Sequence, residues 1–177
     1  LNEAKDILVS MPNLRIIGVT GSFGKTSCKM ILGSVLGGAF TTLVTPGSFN
    51  TPLGVTRVVR ESLRPIHELF VVEMGAKQQG DIAELCDLVQ PQIGVLTAIG
   101  EQHLETFKNL QNIIDTKFEL IEALPPDGLA VTVKTRNRRP ATAGRYMRRD
   151  FRPSALPCIC PYSSMTQCRR STKAALT

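Results

Sequence analysis

The sequence predicts an α/β fold built on a mostly parallel sheet flanked by helices, and three observations carry that expectation. Leu69-Phe70-Val71-Val72 and residues 93–99 are continuous apolar runs, the mark of strands buried on both faces of a parallel sheet. Residues 14–27 read LRIIGVTGSFGKTS, an apolar run that breaks at glycines and then enters the helix-compatible stretch 28–36. Between and after these runs lie segments of helical spacing, residues 53–63 and 109–124, giving the strand–helix alternation that parallel sheets require.

Taken in order, residues 2–9 form a short helix that Pro12-Asn13 stops before the first strand. Residues 41–44 are a short strand, followed by the turn-rich segment Thr45-Pro46-Gly47-Ser48-Phe49-Asn50-Thr51-Pro52. A loop of that length and composition beside a phosphate site is either a binding loop or a plain connector. Pro65 ends the helix over 53–63, where Leu53, Val55, Val58 and Val59 supply the apolar spacing. Asp81 with Glu84 three residues on has the form of a capping box opening a helix that runs to Val89. Pro125-Pro126-Asp127-Gly128 makes a turn, and Leu129-Ala130-Val131 starts a further strand.

The glycine-rich turn carries the strongest chemistry. A strand that breaks at glycines and re-enters a helix presents consecutive N–H groups and a positive helix end to an anion. In Thr20-Gly21-Ser22-Phe23-Gly24-Lys25-Thr26-Ser27, Gly21 and Gly24 let the backbone approach a phosphate chain, Lys25 reaches the terminal phosphates and the Thr26 hydroxyl takes a magnesium ion. The strict pattern places a glycine where this chain has Val19, so the segment is a variant of a nucleotide triphosphate loop.

Three further residues fall where they could serve such a site. Glu73 closes a buried strand at the carboxyl edge, where open α/β sheets bind ligands, and is either a metal ligand or a solvated strand-end acid. His103 follows the next strand at the same kind of position, as a ligand or as a surface histidine. In the helix over 109–124, projected at about 100° per residue, Leu110, Ile113, Ile114, Ile121 and Leu124 fill one arc and Asp115, Glu119 and Glu122 the other. Lys117 falls inside the apolar arc. A buried lysine is costly unless it is paired, modified or able to snorkel to water.

Bulk numbers bound the rest. The 177 residues suffice for one domain with a sizeable core. The net charge of +6 is unevenly spread: residues 1–131 hold 10 Lys and Arg against 14 Asp and Glu, whereas 132–177 hold 11 against 1. The basic balance therefore belongs to the tail and not to the domain. Five cysteines with only Cys158-x-Cys160 closely spaced make neither a disulfide framework nor a convincing zinc site. No run approaches the roughly 18 apolar residues of a membrane span. The chain begins at Leu1, which suggests a piece of something longer.

With the loop, Glu73, His103 and Lys117 in hand, residues 13–131 resemble the central ATP-binding domain of the Mur ligase family. Within it, the segments TPGSFNTPLGV, VVEMGAKQQGDI and AIGEQHLETF are most similar to the branch that joins D-alanyl-D-alanine to a UDP-N-acetylmuramoyl-tripeptide. The resemblance implies that Thr20 to Ser27 cradle the ATP phosphates and that Lys25 neutralises the one transferred. It implies one magnesium on Thr26 and Glu73, and a second served by His103 and by Lys117 carbamylated on its amine. Asn50 and Thr51 are implied to face the UDP-sugar peptide. The implied reaction is cytoplasmic cell-wall precursor synthesis: the substrate carboxylate takes the γ-phosphate, and the dipeptide amine then displaces phosphate from the acyl phosphate to form an amide.

Family members also carry an N-terminal domain for the UDP moiety and a C-terminal domain that closes over ATP; neither is visible here, so the isolated chain is expected to bind Mg-ATP weakly and not to turn over. From Thr132 the resemblance fails and the arginine, proline and cysteine content rises, suggesting that 132–177 is disordered or translated out of frame. Two other functions fit parts of the pattern, a folylpolyglutamate-synthase-like ligase and a non-enzymatic nucleotide-binding remnant with a basic nucleic-acid arm. The tail lacks interleaved aromatics, which argues against nucleic acid.

Overall fold

The computed structural model describes residues 2–100 and 107–132; His103 and residues 133–177 lie outside the described residues. The elements run α1 (Asn2–Val9), β1 (Arg15–Thr20), α2 (Lys25–Leu36), β2 (Thr42–Val44), α3 (Pro52–Ser62), β3 (Leu69–Glu73), α4 (Asp81–Val89), β4 (Ile93–Leu96), α5 (Leu110–Glu122) and β5 (Leu129–Thr132). The strands form one sheet in the order β2-β3-β1-β4-β5, with every neighbouring pair parallel. Strand β1 is central, flanked by β3 and β4, so the chain reverses its direction of travel across the sheet there. The crevice beyond the carboxyl end of such a strand is where open α/β sheets take their ligands.

Alternation along β1 divides the core. Ile16 joins Phe70 and Val72 on one face, beneath Val55, Val58 and Val59 of α3, Ile82, Leu85 and Cys86 of α4 and Leu120 of α5. Ile17, Val19 and Val71 face the other way and pack against Cys28, Leu32 and Leu36 of α2. Gly18 matters here because a Cβ would stand 2.8 Å from Leu120 Cδ1, so its absence lets α5 lie close on β1. That contact brings the middle of α5 to the sheet near the phosphate loop.

Local chemistry explains where the elements begin and end. Thr51 caps α3 by accepting the Gly54 N–H, with Pro52 in the first helical turn, and Asn109 caps α5 by accepting the Asn112 N–H. Helix α4 departs from the capping box expected of Asp81 and Glu84. Its N-cap is Gly80 in the left-handed region, with no side-chain cap of its own. Asp81 Oδ2 instead turns back to accept the Lys77 and Gln78 N–H groups, and Glu119 of α5 caps α4 through the Gly80 and Ala83 N–H groups. Strand β4 ends at Leu96, short of the apolar run 93–99; the Thr97 N–H still bonds Thr20 O at 2.9 Å, while its hydroxyl reaches the phosphate loop.

Candidate active site

The phosphate loop is held from below by both neighbours of β1. Thr20 Oγ1 donates to Met74 O at 3.0 Å, tying the end of β1 to the exit of β3. On the other side Thr97 Oγ1 lies 3.0 Å from Thr20 O and 2.7 Å from Phe23 O, while the Ser22 N–H donates to Ala98 O at 2.8 Å and Ser22 Oγ to Gly100 O at 2.9 Å. Gly21 is pressed into this clasp at φ +142°, where a Cβ would stand 2.0 Å from Thr97 Oγ1. No L side chain fits that backbone or that space.

Helix α2 starts at Lys25, earlier than the apolar run 28–36 suggested, which puts Thr26 and Ser27 in its first turn. Gly24 provides the N-cap without any side-chain hydrogen bond, and the first turn holds no acidic residue. The opening N–H groups of a helix have no intrahelical acceptor, so this end is left to an external anion. Lys25 Nζ folds back over the loop to donate to Gly21 O at 2.8 Å, and burial lowers its pKa while the charge of Glu73 raises it.

Glu73 is neither solvated nor isolated. It is 2 % exposed, and the Lys29 ammonium, fully buried, lies 2.9 Å from its Oε2. Asn50 Nδ2 donates to Oε1 at 3.2 Å, and the Glu73 N–H donates to Thr45 Oγ1 at 3.1 Å. Burial pushes the carboxyl upward, but hydrogen bonds from Lys29 and Asn50, the Lys29 charge and the Thr26 hydroxyl outweigh it and hold Glu73 below its ordinary range. Oε2 is held by the Lys29 ammonium at 2.9 Å.

Lys117 is 4 % exposed and does not snorkel to solvent. Its ammonium lies 5.9 Å from the centre of the Phe107 ring. Burial first, then the charge of Lys25, lowers its pKa to about 8, against the opposing pull of Glu119 and Asp81. Lys25 feels the charge of Glu73 and Lys117 feels that of Lys25, so Lys25 stands between the other two at the phosphate loop.

Of the residues singled out from the sequence, Thr20 to Ser27, Glu73 and Lys117 therefore converge. His103 lies outside the described residues. Asn50 turns its amide to Glu73, and Thr51 spends its hydroxyl capping α3. Sequence reasoning missed Lys29. Its signal was faint: one residue after Cys28, whose core stripe runs on through Leu32 and Leu36, it reads as the solvated flank of α2. Among the described residues no group of three or more His, Cys, Asp and Glu side chains could hold a metal.

Residues 19–150 match the family model described as the Mur ligase middle domain. The chain belongs to the Mur ligase family. Among curated Mur ligases, it is 41 % identical over 118 residues to the UDP-N-acetylmuramoyl-tripeptide--D-alanyl-D-alanine ligase of Mycobacterium tuberculosis H37Rv, covering 67 % of this chain and 23 % of that protein. It is 34 % identical over 117 residues to the ligase of the same name from Escherichia coli K12, covering 66 % and 26 %. Two solved Mur ligases superpose well. MurF from Acinetobacter baumannii gives a TM-score of 0.71 at 35 % identity, covering 75 % of this chain and 29 % of that one. MurF from Thermotoga maritima in complex with ADP gives 0.71 at 32 % identity, covering 85 % and 33 %. The chain thus spans about a quarter of the length of the curated Mur ligases it matches.

Proposed function

We propose that this chain is the nucleotide-binding part of an ATP-dependent ligase that adds D-alanyl-D-alanine to UDP-N-acetylmuramoyl-tripeptide in the cytoplasm, during cell-wall precursor synthesis. The observation that carries the reading is the uncapped start of α2, free of acids, with Lys25, Glu73 and Lys117 gathered around it. The names of the similar ligases supply the substrates, and the ADP in one similar structure supports the nucleotide.

The donor set suits a hard divalent ion. Glu73 is held below its ordinary pKa by Lys29, Asn50 and the Thr26 hydroxyl, which leaves an anionic oxygen donor beside that hydroxyl. Magnesium held by Thr26 and Glu73 would neutralise charge on the transferring phosphate when bound. The N–H groups at the start of α2 orient the phosphate chain, and Lys25, released from Gly21 O, follows the charge of the γ-phosphate. Lys117 with its pKa near 8 has a sizeable neutral fraction at cellular pH, the form that takes up carbon dioxide. As a carbamate it would become an anionic ligand for a second magnesium, with His103 as a further ligand. The dipeptide amine and the UDP-sugar peptide require the domains that the longer ligases carry.

The test has two parts. Titration of this chain with a fluorescent ADP analogue and magnesium should give saturable binding, weakened at least tenfold in Lys25→Met. The full-length protein should release ADP with UDP-N-acetylmuramoyl-tripeptide and D-alanyl-D-alanine together, and not with a folate and glutamate. ADP release with the folate pair alone would overturn the substrate assignment.

A further inference from the structure

Glu73 sits between two residues that reach it from different elements. Lys29, one turn beyond Lys25 on α2, is fully buried, lies 2.9 Å from Glu73 Oε2 and donates to Gly47 O at 2.7 Å. Asn50, three residues beyond Gly47, holds Oε1 at 3.2 Å, and its backbone carbonyl accepts the Gly75 N–H at 2.9 Å. The fit around Gly75 is tight, since a Cβ there would stand 2.8 Å from the Asn50 amide. The loop over 45–51 is therefore fastened to the carboxylate at both of its oxygens.

We propose that Lys29 is a positioning residue for metal binding at Glu73: it anchors Oε2 and the Gly47 carbonyl, leaving Oε1, which Asn50 holds at a long 3.2 Å, as the oxygen an incoming cation can take. A buried carboxylate without a fixed countercharge would turn toward another donor and lose its aim. Lys29 has no exposed path along which to withdraw, so its hold persists when a divalent ion arrives. Exchange of Asn50 for the ion at Oε1 frees the amide of the loop that the proposed sugar-peptide substrate would meet. The inference rests on the nucleotide-site reading above and assigns a residue that this reading did not use.

The experiment compares the chain with Lys29→Met, which keeps length and removes charge, by titrating the fluorescent ADP analogue with and without magnesium. Affinity without metal should stay within about twofold, because the first turn of α2 and Lys25 are untouched, while the gain in affinity on adding magnesium should fall at least tenfold. A folded Lys29→Met chain that keeps the full magnesium gain overturns the proposal and leaves the nucleotide site standing; absence of nucleotide binding by the unmutated chain overturns both. If Lys29→Met does not fold, the Lys29 ammonium resonance of the unmutated chain decides. It should move when magnesium is added to the ADP-bound chain and hold still with ADP alone, and an unmoved resonance overturns the proposal.

Discussion

The carboxylate of Glu119 in α5 accepts the Gly80 N–H at 2.8 Å and, through its other oxygen, the Ala83 N–H at 2.9 Å at the start of α4. One side chain thereby caps a helix that has no cap of its own and fixes the angle at which two core helices meet. Glu119→Ala should lower unfolding free energy by about 1–2 kcal/mol, the range for a lost cap with charge-assisted hydrogen bonds. Glu119→Gln, which keeps one acceptor, should lose about half as much. Urea denaturation followed by circular dichroism reads both, and an unchanged midpoint for Glu119→Ala would show that solvent serves the two N–H groups equally well.

Lys117 makes stability rise with pH. Its folded pKa of about 8 lies below its ordinary 10.5, so between these values the unfolded chain binds the proton that the folded chain has released. Below pH 8 both states are protonated and the folded state bears the full cost of the buried charge; above 10.5 the cost is gone. The gain across that window approaches ~3 kcal/mol. Lys117→Met should raise stability at pH 7 by ~1–3 kcal/mol and flatten the rise. Denaturation at pH 7 and pH 9.5 checks it, and equal slopes for the two proteins would remove Lys117 as the cause.

The phosphate loop depends on a missing side chain. Gly21→Ala brings a methyl to 2.0 Å from Thr97 Oγ1 in a left-handed backbone that alanine resists. The clasp must open, and binding of the fluorescent ADP analogue should fall below detection while the melting temperature drops only modestly. Retained binding would mean that the loop reaches its working shape by another route.

Thr97→Val tests the same clasp from the β4 side. Its hydroxyl serves the carbonyls of Thr20 and Phe23, and its loss should cost about 1–2 kcal/mol of stability. Nucleotide affinity should fall several-fold, whereas Thr97→Ser should restore both. Unchanged stability and affinity in Thr97→Val would show that the hydroxyl does not hold the clasp.

Periodicity and turn chemistry made the sheet and the loop legible in advance. The buried runs of β1 and β3 and the lysine inside the apolar arc of α5 are properties of consecutive residues, and the sheet and the burial of Lys117 follow them. What stayed hidden depends on partners far along the chain. Glu119 occupies the polar arc of α5, and nothing local indicates that it caps α4. Lys29 reads as one more surface lysine until Glu73 is set 2.9 Å from it. The run over 93–99 gave no sign of its early end, because Thr97 is β-branched and suits a strand, and its hydroxyl is committed to the carbonyls of Thr20 and Phe23 only in the folded chain.

The register of the central strand has a consequence for how the molecule forms. Strand β1 precedes both of its partners in the chain and pairs Arg15 with Leu69 and Ile17 with Ile93, so neither pairing can form as a hairpin. Closing such distant pairs costs loop entropy before any burial rewards it, which makes parallel sheets slow to nucleate. The strand that carries the phosphate loop therefore completes its pairing only once β4 has been reached, although α2 can already cover Ile17 and Val19.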